Sequence, residues 1–309
     1  MSPRRLILEI DERFDGLSIH HILRYKKKLS GTLIRRIKWL EDGILLDGER
    51  VNTRTAVRKG QTLSVRLSDP SVQSGIPPVD LPLKIVYEDR DIVIVDKDPG
   101  MPSHPGPGHW GDSLGNALIA HWGKTDPHAD FHPVHRLDKG TSGLMVVAKH
   151  PYAQDRLRES LHSGGFQRSY LAVCEGKLSP AAGVIDLPIG RAEDSIIRRQ
   201  VNGADSQRAV TSYQTVFAGQ ERSLVSLTLE TGRTHQIRVH MAHIGHPLAG
   251  DFLYGKEIGA ISRPALHSSR LSLLHPVTEE RMRFISPLPD DMRTLFSHFL
   301  PFDQQNTVF

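Results

Sequence analysis

The sequence predicts an α+β protein, in which a large domain with a central, largely antiparallel sheet follows a small α/β unit. Beyond residue 83, segments with a strand pattern outnumber those with a helix pattern, and the two do not alternate strictly. Residues 1–68 combine helical and strand patterns of their own. Residues 69–82 are rich in Pro, Ser and Gly and lack periodicity, which is typical of a linker. We therefore expect an N-terminal domain at 1–68, a linker at 69–82 and the main domain at 83–309.

The N-terminal unit has apolar residues mostly at helical spacing in its first half and short apolar runs in its second half. A serine and a threonine at positions 30 and 32 can cap its second helix. The Asp47-Gly48 pair predicts a turn between strands. The expected elements, in order, are a strand at 4–10, helices at 17–29 and 33–40, and short strands at 44–46, at 51 and at 63–67.

Basic residues crowd the two predicted helices of this unit, whereas acidic residues are few between positions 16 and 40. Such a run is often no more than a solvated surface. Its concentration on one helical pair of a small module favours contact with phosphate groups instead. The candidate RNA-binding residues are Arg24, Lys27, Arg35, Arg36 and Lys38.

The stretch HPVHRLDKGTSGLMVVAK, residues 132–149, joins a polar loop to a buried strand. The apolar, β-branched run at 144–148 is typical of a core strand. In the loop, Asp138 lies between an arginine and a lysine, and two glycines permit a tight turn. A carboxylate held in this way is a candidate reactive group, and the alternative is a turn residue that pairs with Arg136.

The rest of the main domain alternates strands with loops and a few helices. The Gly/Pro-rich segment at 96–114 is long for a loop without structure, which favours a functional role. We expect helices at 113–122, 152–163 and 288–300, and strands at 85–87, 92–95, 169–175, 211–217, 223–229 and 236–240.

Two later segments hold candidate partners for Asp138. Tyr170 begins a predicted strand, where a core aromatic with a solvated hydroxyl is the alternative reading. Residues 234–240 alternate polar and apolar side chains, which predicts a strand that carries Arg238 on its polar face. An arginine beside apolar neighbours needs a carboxylate, and Asp138 is our candidate.

Composition and missing motifs exclude several classes. With 38% hydrophobic and 24% charged residues the chain is globular, and its net charge of +4 fits a polyanionic partner without requiring one. The single cysteine, Cys174, lies in an apolar run that favours a core position. No apolar segment has transmembrane length, and the N-terminal charges lie too close to apolar residues for a signal peptide. We therefore expect a cytoplasmic protein without membrane contact.

Four histidines near the predicted strand at 236–240 suggest a metal site. Their spacing is not that of an HExxH pair and no thiolate accompanies them, so structural histidines or phosphate contacts are favoured. Phosphate-binding motifs of nucleotide enzymes are absent, as is a GxSxG elbow around Ser142. A histidine-ligated metallohydrolase stays as an alternative. The histidines are His235, His240, His243 and His246.

The motifs HRLDKGTSGL, SYLAVCEG, TGRTHQIRVHMAHIGHPLAGD and LHSSRLSLLHP occur in this order and resemble the RluA family of RNA pseudouridine synthases. The resemblance covers about residues 83–288. Over about residues 13–67, a helix, a basic helix and short strands that end in LLDGERV and RKGQTLSV resemble the alpha-L RNA-binding domain. Two separate signals therefore point to RNA.

The resemblance implies a role for each candidate site residue. Asp138 matches the catalytic aspartate of the family, Tyr170 its active-site tyrosine and Arg238 the arginine that pairs with the aspartate. Arg136 matches the residue that enters the place of the extruded base. Leu271, one of two leucines that could line a pocket wall, matches the apolar pocket residue.

The implied reaction is the isomerisation of uridine to pseudouridine in structured RNA, with no metal or other cofactor. Large-subunit ribosomal RNA is the favoured substrate and transfer RNA the alternative, and family members of this layout suggest a monomer. The sequence does not decide whether Asp138 attacks the anomeric carbon or removes a ribose proton. A non-catalytic RNA-binding protein is a further alternative, but it predicts a broken set of catalytic residues.

Overall fold

The computed structural model describes residues 2–69, 71 and 73–295. Its α-helices are α1 Ile19–His21, α2 Gly31–Ile37, α3 Leu114–Thr125, α4 Pro151–His162, α5 Gln236–His243 and α6 Asp290–Arg293, and a π-helix over Ile22–Lys26 continues α1. Its strands are β1 Arg5–Glu9, β2 Ile44–Leu46, β3 Glu49–Arg50, β4 Thr62–Arg66, β5 Ile85–Glu88, β6 Ile92–Lys97, β7 His132–Pro133, β8 Ser142–Ala148, β9 Gln167–Glu175, β10 Ala182–Asp186, β11 Ile189–Arg191, β12 Arg199–Val201, β13 Ala204–Gln207, β14 Val210–Ala218, β15 Arg222–Leu229, β16 Leu266–Leu274 and β17 Arg281–Ile285.

The N-terminal unit is a four-stranded sheet in the order β1-β4-β2-β3, covered by the two helical segments. Its leucines and isoleucines form a core of their own, which also includes Tyr152 from α4 of the main domain. Ser30 caps α2 by accepting from the Leu33 amide at 3.3 Å, as the sequence predicts. Arg4 extends the contact between the two parts, because its guanidinium bonds both carboxylate oxygens of Asp91 at 2.6 and 2.8 Å.

The main domain is built on a sheet in the order β10-β14-β15-β9-β16-β8-β6-β5, with β17 paired to β16 and β7 paired to β8. Among the described strands, β8 and β16 form its one parallel pair. A Cβ at Gly143 would lie 2.3 Å from the Ser268 carbonyl, so glycine is required where these two strands meet. The predicted α+β class with a largely antiparallel sheet is confirmed.

Strand β8 is buried on both faces, which explains the continuous apolar run of its sequence. Met145 and Val147 face a core that also contains side chains of α3 and α5. Leu144 and Val146 face a second core, formed with α4. Helices therefore cover both faces of the sheet at its centre, and the polar loop before β8 emerges at one edge.

The predicted linker has no helix or strand in its described part, but it packs on the main domain. Ile76 is buried in the core beside α3. The Asn116 side chain donates to the Pro77 carbonyl at 2.8 Å, and the Val79 amide donates to the Asn116 carbonyl at 3.2 Å. The segment is thus anchored along much of its length.

Two element predictions are wrong or incomplete. Residues 236–240 lie in helix α5 rather than in a strand, because Ile237 and Met241, one helical turn apart, enter the same core. In the predicted helix at 288–300, only Asp290–Arg293 is helical among the described residues, and positions 296–300 lie outside them. No helix in the described part of the chain combines the length and the apolarity that crossing a bilayer requires.

Candidate active site

A cavity of about 510 Å³ opens where the loop before β8, the start of β9 and the segment leading into α5 meet. This volume lies within the range of small-ligand sites. Four of the five site residues predicted in this domain line it together: Arg136, Asp138, Tyr170 and Arg238. Positions about 100 residues apart in sequence are therefore brought to one place by the sheet.

Asp138 is the partly exposed carboxylate of this cavity, with 23% of its side chain accessible. Its backbone carbonyl accepts from the Thr141 amide at 3.0 Å, which closes the tight turn before β8. From the long loop at 96–114, the Ser103 hydroxyl donates to the Leu137 carbonyl at 2.7 Å and accepts from the Leu137 amide at 3.1 Å. That loop braces the backbone that carries Asp138.

Lys97, the last residue of β6, ties the same two loops together. Its ammonium donates to the carbonyls of Asp98 and Met101, each at 2.8 Å, and lies 3.4 Å from the carbonyl of Lys139. Burial lowers the pKa of Lys97 to about 7, and the charge of Arg263 acts in the same direction. Its partners are backbone carbonyls, so Lys97 serves to hold the loops in place.

Arg238 has a stronger partner than the one the sequence suggests. Its Nε and Nη2 donate to the two oxygens of Asp251 at 2.7 Å each, and both side chains are buried. Its Nη1 lies 3.7 Å from Oδ2 of Asp138. Burial acts to lower the pKa of Arg238, but the hydrogen bond and charge of Asp251, with the charge of Asp138, raise it. Asp251 therefore fixes the guanidinium, and Arg238 presents its free edge to Asp138.

Tyr170 is almost fully buried on β9 and lines the cavity beside these charges. Burial raises the pKa of its phenol, which keeps it protonated at neutral pH. Its neighbour on the cavity wall, Arg168, donates from Nη2 to the Thr231 carbonyl at 3.2 Å, and its Nε is buried without a partner. A protonated phenol and an arginine thus face the space in front of Asp138.

Of the other two predicted residues, Arg136 lines the cavity and Leu271 does not. Arg136 is exposed on the loop and hydrogen-bonds Thr234 on the opposite wall, so it does not pair with Asp138 as the alternative reading proposed. Leu271 does not line the cavity: it is buried in the core beside α4, whereas Leu266 of the same strand lines the wall. The pairing of β16 with β9 shifts between positions 268 and 270, and sequence spacing does not reveal which face a residue takes there.

Comparison with known proteins places this arrangement in a family. Residues 91–243 match the model of the RNA pseudouridylate synthase family. An uncharacterized RNA pseudouridine synthase of Bacillus subtilis, YjbO, is 42% identical over 267 residues, which cover 86% of this chain and 94% of the relative. The chain belongs to the RluA family of RNA pseudouridine synthases. It is therefore an isomerase, and its family binds RNA as substrate.

Two further proteins similar to this pseudouridine synthase extend the comparison. The ribosomal large subunit pseudouridine synthase D of Xanthomonas campestris is 39% identical over 282 residues, 85% of this chain and 83% of the relative. The solved structure of human RNA pseudouridylate synthase domain containing 4 matches with a TM-score of 0.56 and 26% identity, over 69% of this chain and 91% of that one. Fold and sequence thus agree on the same family.

Three of the four histidines that suggested a metal site have separate partners in this pseudouridine synthase, and His235 contacts the Tyr254 hydroxyl at 2.9 Å. His240 contacts Thr211 and the Leu187 carbonyl, both at 2.9 Å, and His246 contacts the Glu175 carbonyl at 2.9 Å. Among the described residues, one group has the spacing of metal ligands, and it lies elsewhere, at Asp89, Asp91 and His275. Its Asp91 is already bonded by an arginine and a histidine, so this group is satisfied by the protein itself.

Three residues that shape this site were not predicted to belong to it. Asp251 is the last residue of the motif TGRTHQIRVHMAHIGHPLAGD, which contains Arg238, and that shared motif was the available signal. His235, in the same motif, was considered as a metal ligand, a structural histidine or a phosphate contact, yet its ring lines the cavity. Arg168 is two residues before Tyr170 on β9 and faces the same cavity, as period-two spacing in a strand allows.

Proposed function

We propose that the protein isomerises specific uridines in large-subunit ribosomal RNA, with Asp138 as the catalytic carboxylate. The observation that carries this proposal is the placement of Asp138 at a cavity beside Arg238, whose own charge is held by the buried Asp251. The ribosomal substrate is supported by relatives about 40% identical that are named ribosomal large subunit pseudouridine synthases.

The reaction conserves every atom of the nucleotide. The bond from ribose C1′ to uracil N1 breaks, the base turns, and C1′ bonds to C5. The proton on C5 leaves, and N1 gains one. Nothing is oxidised and no group is transferred to another molecule, so the demands on the protein are to extrude the base, to stabilise charge at the ribose and to keep the freed base in place.

Asp138 acts on the ribose, either by attack on C1′ or by removal of the 2′ proton, and both routes need its ionised form. Arg238 stabilises that charge and fixes the direction of the carboxylate. Tyr170 offers a flat, buried surface on which the detached uracil stacks. Arg136, exposed at the rim, fills the gap that the extruded base leaves in the RNA.

The charges around the cavity suit a nucleic-acid strand. Five arginines line it against two carboxylates, a balance that attracts the phosphate backbone. Within the described part of the chain, Arg238 is the one arginine of this set that pairs with carboxylates, those of Asp138 and Asp251. The arginines are Arg136, Arg158, Arg168, Arg233 and Arg238, and the carboxylates are Asp138 and Glu230.

The N-terminal unit supplies a second contact with RNA. Its candidate residues Arg24, Arg35 and Arg36 are exposed, and Lys38 lies over the ring of Trp39 at 4.7 Å. Trp39 is 73% exposed. Exposed aromatic rings among cations are the combination on which unpaired bases stack while phosphates are neutralised. Lys27, half-buried near Phe14, belongs to the same basic surface.

The substrate is tested by mapping pseudouridines at single-nucleotide resolution in ribosomal and transfer RNA from a strain that lacks the gene. We expect one or a few large-subunit sites to revert to uridine and to be restored by the wild-type gene. Restoration by Asp138→Asn would contradict the role of Asp138. Reversion confined to transfer RNA would contradict the ribosomal substrate.

A further inference from the structure

His235 has a backbone conformation that demands an explanation. It precedes α5 in the left-handed region, with φ 58° and ψ 19°, and its side chain makes no capping hydrogen bond to the helix. A residue other than glycine is uncommon there, and such strain persists where the surrounding structure needs the side chain in one place. The place here is the cavity, because the His235 ring lines it and only 13% of the side chain is exposed.

One nitrogen of this ring is committed to Tyr254. The Tyr254 hydroxyl lies 2.9 Å from Nδ1 of His235 and accepts from the Arg199 amide at 2.8 Å. Among the described residues, Nδ1 is the acceptor available to the hydroxyl hydrogen, so the hydroxyl donates to it and the hydrogen of the ring is on Nε2. Burial lowers the pKa of His235, which leaves the imidazole neutral at neutral pH.

The other nitrogen faces the catalytic carboxylate. Nε2 of His235 lies 3.9 Å from Oδ2 of Asp138, and Nη1 of Arg238 lies 3.7 Å from the same oxygen. These distances exceed those of direct hydrogen bonds, and catalytic contacts of this length tighten when substrate binds. The nearest approach of both N–H groups is therefore to the same carboxylate oxygen, Oδ2.

We propose that His235 is a positioning residue for Asp138: its Nε2–H holds Oδ2, together with Arg238, and so presents Oδ1 to the ribose. This inference rests on the proposed catalytic role of Asp138. Tyr254 acts through His235, because its hydroxyl fixes which ring nitrogen carries the hydrogen and how the ring is turned. The strained backbone before α5 is the cost of aiming this ring at the carboxylate.

Two substitutions of His235 separate this role from others. In His235→Gln, the side-chain amide reaches about as far as Nε2 and can donate to Asp138, but contact with Tyr254 is lost. In His235→Asn, the amide replaces Nδ1 and keeps Tyr254, but nothing reaches Asp138. Asparagine also tolerates the left-handed backbone well, so its loss of activity cannot be ascribed to added strain. The two variants are thus controls for one another.

The experiment measures single-turnover rates and RNA affinity on RNA from the strain that lacks the gene, over pH 6 to 8. We expect His235→Gln to retain most of the rate, and His235→Asn to lose about 100-fold, the scale of a misplaced catalytic group, at unchanged affinity. A glutamine side chain cannot transfer a proton. If His235 only positions Asp138, the rate of His235→Gln should therefore depend on pH as the wild-type rate does.

Three results would overturn the inference. Equal losses in both variants would indicate that His235 transfers a proton, and a greater loss in His235→Gln would make its contact with Tyr254 the essential one. Wild-type rates in both would remove any role. Asp138→Asn is assayed in parallel: if it is inactive, these failures concern His235 alone, and if it is active, the proposed function itself fails.

Discussion

The N-terminal unit and the cavity of the main domain use positive charge in opposite ways. On the basic surface, cations such as Arg35 and Arg36 are exposed. In the cavity, Arg238 is buried and bonded to both oxygens of Asp251. Exposed charges remain free to bind phosphate and are screened by salt, whereas buried, paired charges hold geometry. We propose that the exposed cations of the N-terminal unit add to RNA affinity, whereas the buried pair holds the geometry for catalysis, so that each can be changed separately.

The largest expected effect comes from removing the anchor of Arg238. Asp251→Asn leaves a buried guanidinium without its carboxylate, so we expect the free energy of unfolding to fall by about 3–5 kcal/mol. The single-turnover rate should also fall, by about 100-fold, because Arg238 no longer has a fixed direction. Denaturant unfolding and product formation measure the two effects.

Asp80→Asn is the matched control for this change. Asp80 also loses a charge partner, Lys124 at 2.8 Å, but both side chains are largely exposed. We expect neither unfolding nor catalysis to change measurably. Similar losses in the two variants would contradict the proposed difference between buried and exposed ion pairs.

The same comparison explains which parts of the molecule could be read from sequence. Apolar runs such as 144–148 identify core strands because burial on both faces needs continuous apolar residues. The prediction of a strand at 236–240 is wrong because five residues are too few to distinguish a strand period from a helix period. The helix there is stabilised by apolar side chains that pack in a core shared with distant strands. The strands at 199–201 and 204–207 were not predicted because they are short and contain few apolar residues, so they carry no readable period.

For the site, motifs identify residue types but not partners. Asp138 and Arg238 were correctly expected to approach one another, yet Asp251 is the closer partner of the arginine. The segment between the end of α5 and Asp251 folds back, so that the Asp251 carboxylate contacts Arg238 on the helix. Leu271 was misplaced because the strand register that sets its face depends on an irregular pairing with β9.

An intermediate effect should appear in the pH dependence of stability. Burial lowers the pKa of His135, on the loop before Asp138, to about 3. The unfolded chain binds a proton near pH 6.5 and the folded protein does not, so folding stability is lost as pH falls from 6.5 toward 3, at up to about 1.4 kcal/mol per pH unit. Urea midpoints measured between pH 7 and 5 should fall less in His135→Gln than in the wild type. An equal fall in His135→Gln and the wild type would contradict the burial of a neutral His135 ring. His20→Gln, which changes an exposed histidine, serves as control.

The smallest expected effect, in free energy, lies on the basic surface. Replacing Arg35, Arg36 and Lys38 together by Gln should lower the slope of log affinity against log salt by about two, since each lost phosphate contact contributes about 0.7 to 0.9. The single-turnover rate at saturating protein should not change, because the cavity is untouched.

The control for this triple variant removes three exposed cations that already have carboxylate partners at 2.6 to 2.8 Å. Arg13 pairs with Asp11 at 2.6 Å, Lys59 with Glu12 at 2.6 Å and Lys124 with Asp80 at 2.8 Å. Their replacement by Gln changes the net charge equally. An equal change in salt slope would show that net charge, rather than this surface, determines RNA affinity.

One carboxylate, Asp138, is proposed to perform the chemistry, in a cavity that binds RNA independently of it. The decisive test is a single-turnover measurement of pseudouridine formation by Asp138→Asn, with RNA affinity measured on the same preparation. Asp186→Asn, which changes an exposed carboxylate on β10, is the control. We expect no product from Asp138→Asn at wild-type affinity, and normal turnover by the control. Product formed by Asp138→Asn at a measurable rate would contradict the claim.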